Sequence, residues 1–142
     1  MDDCRDIDRL IPQRSPIRMI DRLIRADETS AVSSLCVADD NFFADEEEML
    51  VEAGLVEHIA QTASAHAGHI ALQEGKQRPP VGYIAEVRNF LCFRRPHVGE
   101  ELETTVTVDD VIGDMTCISG RTTVGKETVA ETKMRIYIKE ND

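Results

Sequence analysis

The chain has 142 residues and a mass of 15.9 kDa, a size that suits one domain. It carries 27 acidic against 16 basic side chains, a net charge of −11, with 42% hydrophobic and 30% charged residues. That composition belongs to a folding chain, neither disordered nor embedded in a membrane. Apolar runs are only a few residues long, against the roughly 20 that a membrane-spanning helix needs. The acidity weighs against unspecific nucleic-acid binding, which draws its affinity from basic residues on phosphates. With no Trp and 4% aromatics there is little on which to stack bases. No basic segment precedes an apolar stretch at the start, so no signal peptide is expected and the reading is a cytoplasmic chain.

Residues 1–11 predict a short helix, because Ile7, Leu10 and Ile11 share a face at i, i+3 and i+4. Pro12 and Pro16 rule out a regular helix beyond it. Over residues 17–38, Ile20, Leu23, Ile24, Val32, Leu35 and Val37 alternate loosely, which predicts two short strands around a turn near Asp27-Glu28. Residues 39–48 read as a loop, with Phe42-Phe43 as an apolar plug and the acids Asp45 to Glu48 behind it. From Glu47 to Glu74 the period becomes helical, with Leu50, Ile59 and Ile70 among many small residues such as Ala53, Gly54, Ala60, Ala63, Ala67 and Gly68. Small residues let other backbone approach, so this helix is expected to be wrapped on several sides by sheet. The acids of its first turn suit the positive end of the helix dipole. Gly75 and Pro79-Pro80 stop it.

Four strands follow, at Val81–Cys92, Leu102–Ile112, Met115–Val124 and Thr128–Ile138, with tight hairpins at Gly113-Asp114 and Gly125-Lys126. There is no repeat and no linker. Residues 1–142 therefore read as one α+β domain, an antiparallel sheet curled round one long central helix. Cys4, Cys36, Cys92 and Cys117 have no CxxC spacing and no His at zinc spacing, so neither a metal nor a cofactor is expected. Cys36, Cys92 and Cys117 read as small apolar fillers of strands, and Cys4 as an exposed thiol. His66 and His69 share a helix face with Thr62, but no third metal ligand is evident.

Five blocks, in order, resemble the FabZ/FabA-like β-hydroxyacyl-acyl-carrier-protein dehydratases, a hotdog-fold family. IPQRSPIRMIDRL (residues 11–23) is similar to that family's LPHRYPFLLVDRV, and Phe42-Phe43 matches its aromatic pair. LVEHIAQTAS (55–64) is similar to IIEAMAQAAG, with Glu57, Ala60, Gln61 and Ala63 matched. FRRPHVGEEL (93–102) and VGKETVAETKM (124–134) resemble FKRPVVPGDQL and VDGKVVAEAEM. One departure stands out. Where the family carries GHFPGxPVMPG, with a His that works with the helix Glu of the neighbouring subunit, this chain has ADEEEMLVEAG (44–54). That stretch holds no His and no Pro, and Asp45 or Glu46 falls where the His would. Divergent relatives in aryl-polyene and dialkylresorcinol gene clusters show similarly reduced loops, and the sequence looks closer to them.

The resemblance implies Glu57 as the acid that serves the departing hydroxyl. Its neighbours Leu55, Val56, Ile59 and Ala60 suggest apolar surroundings, which would raise its pKa; the bland reading is a structural Glu in a dimer interface. Gln61, one turn on, can orient that carboxylate or satisfy nearby backbone. His58 points about 100° round the helix from Glu57. It replaces the missing base only if the pocket is rearranged, and is otherwise a buried, hydrogen-bonded imidazole. Arg94-Arg95, with Arg88, Lys76 and Arg78, is the densest basic patch against which an acidic carrier protein would dock; the alternative is ordinary surface charge.

The expected function is dehydration of β-hydroxyacyl thioesters on acyl-carrier protein or coenzyme A, by the chain itself or as a subunit. The alternatives are a non-catalytic hotdog that binds acyl chains or stabilises a partner, and a thioesterase using Glu57 as base or nucleophile. The family's assembly implies at least a dimer, homomeric or with another hotdog chain, joined through the strand at Val81–Cys92.

Overall fold

The computed structural model describes residues 7–139. After a single 3-10 turn, Ile7–Arg9, come β1 (Arg22–Ala26), β2 (Ser30–Cys36), α1 (Glu52–Gln73), β3 (Val81–Cys92), β4 (Glu101–Ile112), β5 (Met115–Val124) and β6 (Glu127–Lys139). The six strands form one antiparallel sheet in the order β1-β2-β4-β5-β6-β3. All six touch α1, so the sheet wraps the helix.

Period-2 patterning makes this possible. On β4, Leu102, Thr104 and Val106 are buried while Glu101, Glu103 and Thr105 are exposed. On β6, Thr132, Met134 and Ile136 turn inward in the same way. Val106, Met134 and Ile136 meet Ile59, Ala60 and Ala63 of α1 in one apolar cluster. The helix is buried on nearly every face, from Gly54 to Ala71. Its small residues permit this: a Cβ at Gly68 would lie 2.0 Å from the Leu10 carbonyl oxygen. The chain before β1 therefore packs its backbone directly on the helix. Ser33 of β2 ties in through its hydroxyl, 2.6 Å from Thr62 Oγ1, which itself donates to the His58 carbonyl at 2.8 Å.

Both hairpins form where the sequence predicts them. Gly113 and Gly125 have φ near 60°, which suits the first position of a two-residue turn. The helix differs at its start, opening at Glu52 rather than Glu47. Asp45 to Glu48 are spent on a turn instead, in which Glu48 has φ 61° and Ala44 pairs with Leu50. The predicted helix over residues 1–11 lies partly outside the described residues, as does Cys4; within them only Ile7–Arg9 is helical. The placement of Cys36 is corrected: it is exposed, while Leu35 and Val37 on either side are buried. β2 is buried from Ala31 to Leu35, and Cys36 at its end faces outward, opposite to its neighbours Leu35 and Val37.

β3 pairs only with β6 and stands at one edge of the sheet. It presents Tyr83 and Leu91, 63% and 52% exposed, with Ile84 and Val87 less open. An apolar edge strand of 12 residues is a ready template for pairing with another chain.

Candidate active site

The site is built on the N-terminal half of α1. Gln61 is almost fully buried, and its amide is fully used. Oε1 accepts the Met19 N–H at 2.6 Å, while Nε2 donates to the Ile17 carbonyl at 2.9 Å and to Glu57 Oε2 at 2.8 Å. Only one amide orientation satisfies all three partners. The expected i, i+4 link from Gln61 to Glu57 is thus present, and it anchors the carboxylate to the segment that enters β1. Glu57 is half-buried. Beside it lies a cleft of about 20 Å³, walled by Ala60, Gly82, Ile84 and Ile136 and by the polar side chains of Gln13, Gln61 and Ser64. β3 contributes two of those walls, so the cleft sits behind the open sheet edge.

His58 faces elsewhere. Its ring is fully buried, with Nδ1 2.7 Å from the Met19 carbonyl oxygen. A carbonyl only accepts, so Nδ1 carries the proton and donates. Burial pushes the imidazole pKa down to about 4, against weaker upward pulls from Met19 and Asp21. His58 holds the 17–19 segment to the helix, and none of the chain's histidines lines the cleft beside Glu57. His66 donates from Nε2 to the Asp27 carbonyl at 2.7 Å, and burial lowers its pKa as well. Among the described residues no group of three His, Cys, Asp or Glu side chains lies close enough to hold a metal ion.

The 39–51 loop, where the catalytic His of the resembled family would fall, is organised by Asp45. Asp45 Oδ1 accepts the N–H groups of Glu47 and Met49 at 2.9 and 3.1 Å, and Oδ2 accepts from Arg95 at 2.7 Å. The Arg95 guanidinium, then the Met49 amide, hold this carboxyl below the usual carboxylate range. Leu50 N–H donates to the Pro96 carbonyl and Val98 N–H to the Glu48 carbonyl, both at 2.8 Å, so the loop is laced to residues 95–98. A carboxylate that accepts three hydrogen bonds and pairs with a cation is a poor base.

The arginines are likewise engaged. Arg94 makes a two-pronged contact with Glu100 at 2.8 and 2.9 Å and reaches Glu127 at 3.0 Å. Arg94 pulls the Glu100 carboxyl down to about 2. Arg95 shares Asp45 and Glu47, and Arg88 lies 3.5 Å from Glu86. Arg94 and Arg95 are each outnumbered by carboxylates, which is a different arrangement from the open basic patch expected. Lys76 and Arg78 lie on the far side of α1's C-terminal end in sequence, beyond Gln73.

A second, larger cavity of about 600 Å³ borders the C-terminal half of the helix, between Ala63, Ala67 and Ala71 and the inward faces of Val108, Ile118 and Ile138. Its volume comes from the alanines. Glu57 does not line it, and neither does Gln61.

Sequence reasoning did not single out Ser64 or Gln13. A signal existed for Ser64, which repeats the Glu57–Gln61 face at i+7. None existed for Gln13, which arrives from a segment without periodicity.

A wrapped helix carrying a tethered carboxylate beside a cleft at the sheet edge defines a hotdog-fold protein. The chain matches the family model ApeP-like, described as ApeP dehydratase, over residues 5–142, and it belongs to that family. The divergent dehydratase resemblance of the five sequence blocks therefore stands. Its fold is similar to a chain of the dehydratase heterocomplex ApeI:P from Xenorhabdus doucetiae, at a TM-score of 0.88 and 15% identity, covering 96% of this chain and 91% of that one. An uncharacterised protein, PH1136 from Pyrococcus horikoshii, follows at 0.68 and 14%, covering 94% and 93%. A hypothetical thioesterase with coenzyme A from Streptococcus pneumoniae is similar at 0.66 and 8%, covering 84% and 85%. Among curated proteins, no sequence matches. No helix of the described residues is long and apolar enough to cross a membrane.

Proposed function

We propose that this chain is the acid-bearing subunit of a two-chain dehydratase acting on β-hydroxyacyl thioesters of acyl-carrier protein or coenzyme A. The observation that carries the reading is the contrast between Glu57, held by a single hydrogen bond beside a cleft, and Asp45, saturated by Arg95 and its own turn. Elimination of water needs a base at the α-carbon and an acid at the hydroxyl. Glu57 has lone pairs and space to serve the hydroxyl, with Gln61 as its positioning residue. The 39–51 loop holds no His, its Asp45 is spent on Arg95 and its own turn, and His58 is buried on the Met19 carbonyl. The base is then a His from another hotdog chain, seated against β3. One of the two sites of such a complex is complete, built from this chain's Glu57 and the partner's His, and the other lacks its base. That the similar ApeI:P protein is itself a dehydratase heterocomplex supports a two-chain assembly. The cavity along α1, with alanine, valine and isoleucine walls and Glu28, His66, Glu74, Asp114 and Lys139 also lining it, supplies volume for an acyl tail. Arg94 and Arg95 already share carboxylates, so an acidic carrier meets its main basic surface on the partner.

The saturated loop also favours a second reading, a non-catalytic chain that stabilises its partner. One assay separates the two. Dehydration is measured with this chain alone, with its genomic-neighbour hotdog chain, and with that pair carrying Glu57→Gln. The expected order is near-zero, active and strongly impaired. Full activity of the Glu57→Gln pair makes Glu57 structural and leaves the stabilising role. Full activity of the single chain removes the need for a partner's base.

A further inference from the structure

Two buried polar atoms beside Glu57 have no hydrogen-bond partner among the described residues, Ser64 Oγ and Gln13 Oε1. Ser64 is only 4% exposed. A helical serine commonly turns its hydroxyl back onto the carbonyl one turn earlier; this one does not. Buried polar groups are almost always paired, so two orphans in one cleft call for a ligand. Both line the cleft that Glu57 and Gln61 share.

The size and valence of the cleft restrict that ligand. Its volume of about 20 Å³ is room for about one water. Both Gln61 amide hydrogens are already committed, and its Oε1 is held by the Met19 N–H. Glu57 accepts one bond at Oε2 and keeps lone pairs. Gln13 Oε1 only accepts, and the Ser64 hydroxyl can donate. The free capacity is therefore two acceptors and one donor. A methyl group would leave all three unpaired, and an ammonium would leave the Ser64 donor unmet. A carboxylate or phosphate is too large and is repelled by Glu57. A water molecule donates to Glu57 and Gln13, accepts from Ser64 and completes the set.

We propose that Ser64, Gln13 and Glu57 form a subsite for a single water or hydroxyl oxygen. Resting on the dehydratase reading above, this is where the β-hydroxyl of the substrate sits and leaves. The hydroxyl accepts from Ser64 and donates to Gln13. As the Cβ–O bond breaks, its electron pair goes to oxygen, and Glu57, acting as the general acid, passes a proton there. The partner's His takes the α-proton, and the C–H electron pair becomes the new C=C bond. The product water carries the original hydroxyl hydrogen and the proton from Glu57. It donates one to Gln13 and the other to the Glu57 carboxylate, still held by Ser64. Charge builds on that oxygen during bond breaking, so the Ser64 hydrogen bond strengthens in the transition state.

Two variants probe the subsite in different ways. Ser64→Ala removes the donor and keeps a good helix former. Gly82→Ala removes no polar group; a Cβ there meets Ser64 Oγ at 3.8 Å and Ile136 at 3.5 Å, so a methyl enters the cleft wall without a clash. The test uses the complex with the hotdog partner. A crystal structure at a resolution that shows waters is expected to place one within hydrogen-bond distance of Ser64, Gln13 and Glu57 in the unmodified complex. It is expected to be missing from the Gly82→Ala complex. In both variants kcat for dehydration falls at least about tenfold while KM stays within about twofold. A dry cleft in the unmodified complex overturns the proposal, as does a Ser64→Ala complex with unchanged kcat. An unmodified complex that holds the water but never dehydrates supports the subsite and sinks the dehydratase reading, so the two failures are distinguishable.

Discussion

The helix face at residues 57–64 and the loop at 39–51 each carry a carboxylate, Glu57 and Asp45, and the two end in opposite chemical states. Asp45 accepts three hydrogen bonds and an ion pair. Glu57 accepts one hydrogen bond and borders open space. The difference teaches that a carboxylate's usefulness lies in its unspent lone pairs. Asp45 lies in the loop where the resembled family keeps its base, and its bonding makes it a structural clamp. Glu57 is steadied from one side by Gln61 and left open on the other.

The largest effect that would break this contrast is at Glu57. In the proposed two-chain complex, Glu57→Gln is expected to lower kcat by about 10²–10⁴-fold, or about 3–5 kcal/mol of barrier, measured with a β-hydroxyacyl thioester. The paired change Asp45→Asn leaves kcat within about twofold. Equal losses at both positions would erase the distinction.

Next in size is a pH dependence of stability from His58. Its folded pKa of about 4 lies below the ordinary 6.5. The unfolded chain therefore binds the proton first as pH falls. The contribution of the neutral, buried ring is fully present above about pH 6.5, is lost progressively between there and about pH 4, and amounts to roughly 3 kcal/mol. Urea unfolding at pH 7 and pH 5 reads most of it. His58→Asn flattens that slope, with a residue left by His66, which shifts in the same direction. An unchanged slope in the variant would place the titrating group elsewhere.

Gln61→Leu comes third. It leaves the Met19 N–H buried without a partner, a cost of about 1–3 kcal/mol by chemical denaturation, and it frees Glu57 to rotate. Gln61→Glu keeps an acceptor for Met19 but sets a second carboxyl beside Glu57. Its expected mark is a displaced acidic limb in the kcat pH profile, which a purely structural Gln61 would not produce. The smallest effect is the stability change of Asp45→Asn. It lowers Tm modestly in low salt, and the difference shrinks as salt screens the Arg95 pair.

Most of the scaffold was legible before any coordinates. Strands β3 and β5 begin and end where alternation and turn glycines place them, and β4 and β6 differ by one residue at the ends. These features depend on neighbours a few residues apart. The helix start was misread because Asp45 to Glu48 look like a favourable first turn, while the pairing of Ala44 with Leu50 and the contacts to Pro96 and Val98 bend them into a loop. The burial expected of Cys36 failed for a reason the sequence did contain, since Leu35 and Val37 already claim the inward side.

Within the site, the identity of Glu57 and its link to Gln61 followed from helical spacing and family resemblance. The states of the other groups did not. Arg94 and Arg95 read as a basic patch because their own charges are adjacent, whereas Glu100, six residues on, pairs with Arg94 through the fold of residues 94–100, and Glu127 and Asp45 lie 33 and 50 residues away. Ser64 and Gln13 meet at one cleft only because α1, the segment before β1 and the edge strand β3 converge there. Sequence alone determined the periodicities, the turns and the wrapped helix, since local stereochemistry and the sorting of apolar side chains set them. Tertiary structure alone decided which lone pairs are spent and which stay free. That depends on long-range neighbours within hydrogen-bond reach, and no local pattern encodes them.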